Sequence, residues 1–360
     1  MIIPGFNPAS GRPPAHGNER LPASSLPELI PEVPLAFSSA QMLERSAQAL
    51  NRNLENMLRC QPNINKVVGD LLNGGSAESS IAEFAEQTQA KRIRSQMWAQ
   101  QAQVCCSVMK SGINTLSEEQ LQQVLTEQKR VLGELNSEPV PTEVEDQFEA
   151  VINSPNDFFE KLLELIELIK NGYLAGYEHI IAAYSDFFAD FNKEITAQMK
   201  DWIEGANDGK EVKLNAGAIR AALQSLINKY SHPNPAAVLF PAPGMEGATR
   251  EEAEKWRLAL GLPANCLQEN DDGTYSVVMD LGPLTIMKDS LPSGGTVTWD
   301  TSKFQAWQTG FNAQEERMKN MLQSFTQKYS NANSYHDNFN KTLSSHLNQF
   351  TDMLKAMLNF

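Results

Sequence analysis

Five histidines, four cysteines and an excess of carboxylates supply this chain with the raw material for acid–base, nucleophilic or metal chemistry. Their spacing uses little of it. His16, His179, His232, His336 and His346 are dispersed, with no two at a local ligand spacing. Cys60, Cys105, Cys106 and Cys266 form no CxxC, and Cys105 and Cys106 are sequence neighbours. Neither a zinc site nor a disulfide framework is suggested, and free thiols are expected. A single Cys60–Cys105 bridge inside a helical hairpin stays open as an alternative. Asn270-Asp271-Asp272-Gly273 has the look of a calcium loop, but the last ligand position falls on Met279, so a hairpin turn is expected. No GxxxxGK[ST], GxSxG or HExxH occurs, and Gly205 to Lys210 has the wrong spacing for a phosphate loop. The chain does not read as an enzyme, and no metal or cofactor is expected.

Charge narrows the partners. Acidic residues outnumber basic ones by 44 to 30, a formal net charge of −14, with no compensating Lys/Arg cluster. Nucleic acid and anionic lipid both require concentrated positive charge, so neither is the expected main partner. No run approaches the roughly twenty apolar residues that span a bilayer. The start, MIIPGFNPASGRPPAHGNER, lacks a basic segment followed by an apolar one, so export by an ordinary secretory signal is not expected.

If chemistry is absent, recognition must come from shape, and the apolar spacing describes one. Met318, Leu322, Phe325, Tyr329, Ala332, His336, Phe339, Leu343, His346, Phe350, Met353 and Met357 recur at alternating steps of four and three. Phe159, Leu162, Ile166, Ile169, Tyr173, Gly176, Ile180, Tyr184, Phe187 and Phe191 nearly repeat the pattern. A 3.5-residue period sustained this long marks supercoiled helices needing a partner. The simplest partners are each other. Each helix reaches roughly 70 Å at about 1.5 Å per residue. Gly172 and Gly176 lie inside the first one, where each costs about 1 kcal/mol relative to Ala. Close helix approach accounts for Gly176; a bulge is expected at Gly172. His336 and His346 are expected as partly solvated seam positions, with a pH-sensitive weak spot as the alternative.

The remaining elements frame this pair. Residues 1–37 are rich in Pro, Ser, Gly and Asn without a period and read as disordered. Residues 38–136 form a helical unit, with helices over 38–58, 78–110 and 117–135, the last started by a Ser117/Gln120 capping box. An acidic linker covers 137–154, the first long helix 155–204, a small α+β insertion 205–311 and the second long helix 312–360. In the insertion, strands are predicted at 211–214, 266–268, 274–279 and 296–299, with helices at 216–230 and, capped by Thr249 and Glu252, at 249–260. An insertion of this size cannot carry the chain back along so long a rod, so the two long helices should be antiparallel. The expected fold is mainly α: an antiparallel intramolecular coiled coil with an N-terminal helical hairpin and a distal α+β domain, a dumbbell.

The C-terminal run TVTWDTSKFQAWQTGFNAQEERMKNMLQSFTQKYSNANSYHDNFNKTLSSHL resembles type III secretion needle-tip proteins of the IpaD/SipD/BipD kind. KFQAWQTGF, QKYSNANS and the pattern Asp337, Asn338, Lys341, Leu343, Ser344, Ser345 are its most specific pieces. Weaker similarity covers YLAGYEH, DGKEVKLN, NKYS and EEAEKW. The resemblance spans about 155–345; the first 150 residues match in architecture alone. It implies a protein synthesised in the cytoplasm, exported through its N-terminal segment and held on the bacterial surface at the needle tip. There it caps the needle, restrains secretion until contact and platforms the translocators that form a pore in the host membrane. It implies the needle subunit, the translocators and further copies of itself as partners, with a monomer when free. It implies that the hairpin acts as a self-chaperone and that the C-terminal helix docks on the needle. Some members bind bile salts, so a bile-salt-like small molecule is the one implied ligand, with no residues assigned.

Three departures stand out: the apolar ending NQFTDMLKAMLNF, His336 where an aromatic residue is usual, and the N-terminal cysteines. The working expectation is surface exchange, in which the hairpin covers an apolar stripe of the coiled coil until docking frees it. For docking, Asn331, Asn333, Asp337, Asn338, Lys341, Ser344 and Ser345 are the candidates, as motif residues off the seam. They could equally be solvated helix positions or contacts to the hairpin. A secreted helical-bundle effector that binds a host protein is the alternative function, separated from the first by where the protein ends up.

Overall fold

The computed structural model describes residues 37–153 and 157–358. The expected secretion segment over 1–37 therefore lies, but for Phe37, outside the described residues, and so does Phe360. The described residues from Ser38 onward form one compact unit.

Helices α1 (Ser39–Leu58), α2 (Ile64–Leu72), α3 (Glu78–Ile113) and α4 (Glu118–Ser137) come first. The capping boxes at Ser38/Gln41 and Ser117/Gln120 start α1 and α4 by satisfying backbone N–H groups that have no partner within the helix. The linker then folds into α5 (Glu145–Ile152), which buries Phe148 and Ile152.

The first long helix is not one continuous α-helix. It runs as α6 (Phe158–Glu167), a π-helical stretch over Leu168–Leu174, and α7 (Ala175–Glu194). Gly172 sits inside the π stretch, which gives the bulge expected there. The helix ends ten residues before the predicted 204. Ile195 leaves helical geometry at φ −113° and ψ −69°, and a short α8 (Met199–Trp202) leads into strand β1 (Ile203–Ala206). The physical reason is the turn at Asn207-Asp208-Gly209, all three at positive φ. It folds β1 back on β2 (Glu211–Asn215) in antiparallel register, Ile203 opposite Leu214.

The insertion holds two three-stranded sheets, with strand orders β1-β2-β6 and β3-β5-β4. Helix α9 (Ala216–Lys229) precedes β3 (Val238–Phe240), a strand in what the composition reads as loop. Helix α10 (Arg250–Leu260) carries the Thr249/Glu252 capping box. Strands β4 (Leu267–Glu269) and β5 (Tyr275–Val278) flank the Asp272-Gly273 turn, which is a hairpin. Helix α11 (Gly282–Asp289) and strand β6 (Thr296–Asp300) complete the insertion.

The last helix, α12 (Thr301–Leu358), is longer than predicted. Asp300 accepts the Lys303 backbone N–H at 2.9 Å and so starts it about three turns before residue 312. Phe304, Trp307 and Phe311 pack in a row on this early part, with Trp299 of β6 6.0 Å from Trp307. At about 1.5 Å per residue α12 measures roughly 87 Å.

The antiparallel pairing holds. Phe158 meets Phe350, Tyr173 meets Tyr335 and Tyr184 meets Phe325, so contacts step in opposite directions along the two helices. All twelve seam residues named in the coiled-coil prediction, Phe159, Leu162, Ile166, Ile169, Tyr173, Ile180, Phe187, Leu322, Phe325, Tyr329, Phe339 and Leu343, are buried. Gly176 is a correction: a Cβ there would meet the indole of Trp256 in α10, so the close approach is to the insertion and not to the facing long helix.

Candidate functional site

Helix α12 presents three faces over residues 329–358, and each face has its own chemistry. The first is the aromatic and aliphatic seam toward α6 and α7 described above.

The second face lies under the hairpin. Here α3 runs parallel to α12 at a constant sequence offset. Lys91 pairs with Asp337 and Trp98 with Ser344, both 246 residues apart, and the same offset joins Cys105 to Thr351 and Gly112 to Leu358. These rungs are one heptad apart, so α3 is a third strand of the coiled coil. Helix α1 runs antiparallel on the same side: Glu44 reaches Lys355, and Asn51 and Asn348 exchange amide hydrogen bonds.

The α3 rungs are polar. The Lys91 ammonium lies 2.8 Å from the Asp337 carboxylate, with side-chain exposures of 1% and 9%. It also donates to Asn333 Oδ1 at 2.6 Å, and Gln61 donates to the same carboxylate at 2.8 Å. His336 is buried beside them. Its Nδ1 lies 3.2 Å from Asp337, and its Nε2 lies 3.0 Å from both Ser95 Oγ and the Asn340 amide. Burial lowers the His336 pKa against the opposing hydrogen bond and charge of Asp337. Burial raises Asp337, but the hydrogen bond from His336 and the Lys91 charge outweigh it and leave the carboxyl below its ordinary value. One rung on, Trp98 Nε1 donates to Ser344 Oγ at 3.1 Å.

The third face is open. Asn331, Ser334, Asn338, Lys341 and Ser345 are exposed and follow one another at steps of three and four along one side of α12. Asn331 accepts from Gln327 on its own helix, at 2.9 Å.

The seven candidate docking residues thus divide. Asn331, Asn338, Lys341 and Ser345 lie on the open face. Asn333, Asp337 and Ser344 instead contact Gln61, Lys91 and Trp98 of the hairpin. For these three the alternative of a contact to the hairpin is what the structure shows, and a two-helix picture has no third strand to bury Asp337 and Ser344. Ser334 completes the open face and was missed; its step of three from Asn331 could have found it. His336 is 1% exposed and not partly solvated, again because α3 covers it. The stripe under the hairpin, expected to be apolar, is polar from Asn333 to Ser344 and mixed beyond it, where Leu347 and Leu354 flank Thr351. That accounts for the apolar C-terminal ending: Phe350 and Leu354 are buried, and Gln120 of α4 donates to the Met357 carbonyl.

All four cysteines are free; Cys60 lies by the Gln87 carbonyl and Cys105 by Ser46, so no bridge joins them. Among the described residues no group of three or more His, Cys, Asp or Glu could hold a metal ion, and no helix is long and apolar enough to cross a membrane.

Residues 36–358 match the family of type III secretion systems tip complex components. This chain belongs to that family. It is 41% identical over 211 residues to the cell invasion protein SipD of Salmonella typhi, a match covering 57% of this chain and 62% of SipD. The chain therefore aligns with less than two thirds of that relative's length. With the invasin IpaD of Shigella dysenteriae it shares 33% identity over 284 residues, covering 77% of this chain and 81% of IpaD. The solved structure of a pathogenicity island 1 effector protein from Chromobacterium violaceum superposes with a TM-score of 0.63 at 28% identity, covering 87% of this chain and 98% of that one. In this tip-complex component α12 packs against α6 and α7 on one face and against the hairpin on a second, and leaves a third exposed.

Proposed function

We propose that this protein caps the needle of a type III secretion system, restrains secretion until host contact and serves as the platform for the translocator proteins. It acts through binding surfaces and catalyses nothing. The observation that carries the reading is the family match over residues 36–358, joined to a long helix whose open face is polar and exposed. Needle attachment runs through that face, at Asn331, Asn338, Lys341 and Ser345. The hairpin acts as a self-chaperone: it occupies the second face of α12 in the free monomer and yields it when copies assemble at the tip.

Immunolabelling of intact bacteria tests the location. Label on the surface only when the secretion system is functional supports the reading; label in the host cytosol overturns it in favour of an effector. Deleting residues 38–136 tests the exchange separately. Oligomers by light scattering are the expected result, and a strictly monomeric variant refutes it.

A bile-salt-like molecule is proposed as the signal. The cleft between α3 and α7, about 630 Å³ and lined by Phe84, Ala85, Thr88, Ala182 and Ser185, is of a size that admits one. Titration with a bile salt followed by protection of these residues from hydrogen exchange supports it; unchanged exchange at saturation removes it.

A further inference from the structure

The contrast between the two helices that flank α12 carries an inference about what replaces the hairpin. Toward α7, α12 offers aromatic rings, as where Tyr184 meets Phe325 with centroids 5.0 Å apart. Such contacts set few conditions on a partner beyond size. Toward α3 it offers a carboxylate at Asp337, a hydroxyl at Ser344 and a second hydroxyl at Thr351, each one heptad from the last and each buried. Polar residues at heptad core positions fix register and partner choice at some cost in stability. When α3 leaves, Asp337 loses the Lys91 ammonium and Ser344 loses the Trp98 N–H. A helix that then covers this stripe without a cation strands a buried carboxylate, which is strongly unfavourable.

We propose that Asp337, Ser344 and Thr351 form a recognition stripe for a partner helix that lies parallel to α12 and carries a cation and, one heptad later, an N–H donor. The partner repeats the chemistry by which α3 is held. This inference rests on the hairpin being exchanged during assembly and adds to it the identity of the incoming helix. On α12 itself Asn333 accepts from the cation and His336 lies against the carboxylate that faces it, so the stripe reads charge and geometry together. The stripe also sets direction. A helix entering antiparallel places its donor one heptad on the wrong side of its cation, and Ser344 goes unpaired.

The test uses full chains in which like charges loosen the hairpin and a fluorescent synthetic peptide of residues 84–112 as the probe helix. In the Lys91→Glu chain the stripe keeps its carboxylate; in the Asp337→Lys chain it carries an ammonium. The peptide of native sequence, with Lys91, is expected to bind the first chain at least about thirtyfold more tightly than the second, as for one missing partner of a buried charge pair. The same peptide bearing Lys91→Glu is expected to show the reverse preference. Equal binding of both peptides to both chains, or binding of neither, overturns the proposal. Circular dichroism checks that each chain is folded. Should charge reversal unfold either, a Lys91→Met chain replaces it: that chain must then prefer the native peptide to one bearing Lys91→Met, and an equal affinity is again fatal. The result is separate from that of the hairpin deletion, which reports on exchange whatever chemistry the incoming helix carries.

Discussion

The indole of Trp256 occupies the space that a side chain at Gly176 would need: a Cβ there would stand 2.7 Å from the ring. The ring cannot easily step aside. It stacks on Phe240 with centroids 4.7 Å apart and lies 5.0 Å from Tyr177 and 6.5 Å from Tyr173. The contact ties the middle of the first long helix to the insertion. Gly176→Ala gains about 1 kcal/mol in helix propensity. It loses about 1–3 kcal/mol to overpacking. A net loss of up to about 2 kcal/mol in urea unfolding is expected, with a shift in tryptophan emission. A variant as stable as the parent would show that α10 can give way.

Lys91 and Asp337 should show strong coupling. Asp337→Leu leaves a buried ammonium without its anion and should cost about 3–5 kcal/mol. Replacing both, as Lys91→Met with Asp337→Leu, removes the charge problem and should recover most of that loss. Chemical denaturation of the two single variants and the double variant closes the cycle. Additive losses would mean that the pair contributes little to holding the hairpin.

Acid should weaken the fold through its histidines. His336, His179 and His346 all have pKa values lowered, chiefly by burial, from an ordinary value near 6.5. The unfolded chain thus binds protons below about pH 6.5 that the folded one resists, and stability falls as pH drops through that value. At His336 the surroundings offer no relief: Lys91 and Lys170 repel a second positive charge, and only Asp337 favours it. Glu178 and Asp186, raised by burial, act in the opposite sense above their ordinary carboxylate values, so the parent is compared with His336→Gln between about pH 7.5 and 5.5. The melting temperature should fall across that window, and His336→Gln should shrink the fall. An unchanged slope would assign the effect to the other two histidines.

The heptad seams were legible because apolar side chains recur where a helix must bury them, and Phe159 to Phe187 and Leu322 to Leu343 are buried as their spacing demands. The end of the first long helix was not, because Ile203 continues the apolar rhythm while the positive φ at Asn207 and Asp208 claims the segment for a β-turn. The third strand escaped for a related reason. Lys91 and Asp337 look like solvated positions one helix at a time, and only the constant offset between α3 and α12 pairs them. Buried polar rungs carry no apolar signal in the sequence. That is why the docking candidates were chosen together but belong to two different faces.

That division gives the prediction that separates structure from docking. Asn338→Ala, Lys341→Glu and Ser345→Ala alter exposed positions on α12 without a partner elsewhere in the described residues, so each should change stability by no more than about 0.5 kcal/mol. Ser344→Ala, one residue away, orphans the Trp98 N–H and should cost about 1–3 kcal/mol. If the open face attaches the protein to the needle, Lys341→Glu combined with Asn338→Ala should abolish surface labelling of intact cells while melting stays unchanged. Ser344→Ala should instead lower the melting temperature, because its hydroxyl is held under the hairpin by Trp98. Should the open-face pair label like the parent, attachment runs through another surface, and the steps of three and four from Asn331 to Ser345 serve only to keep that side of α12 wet.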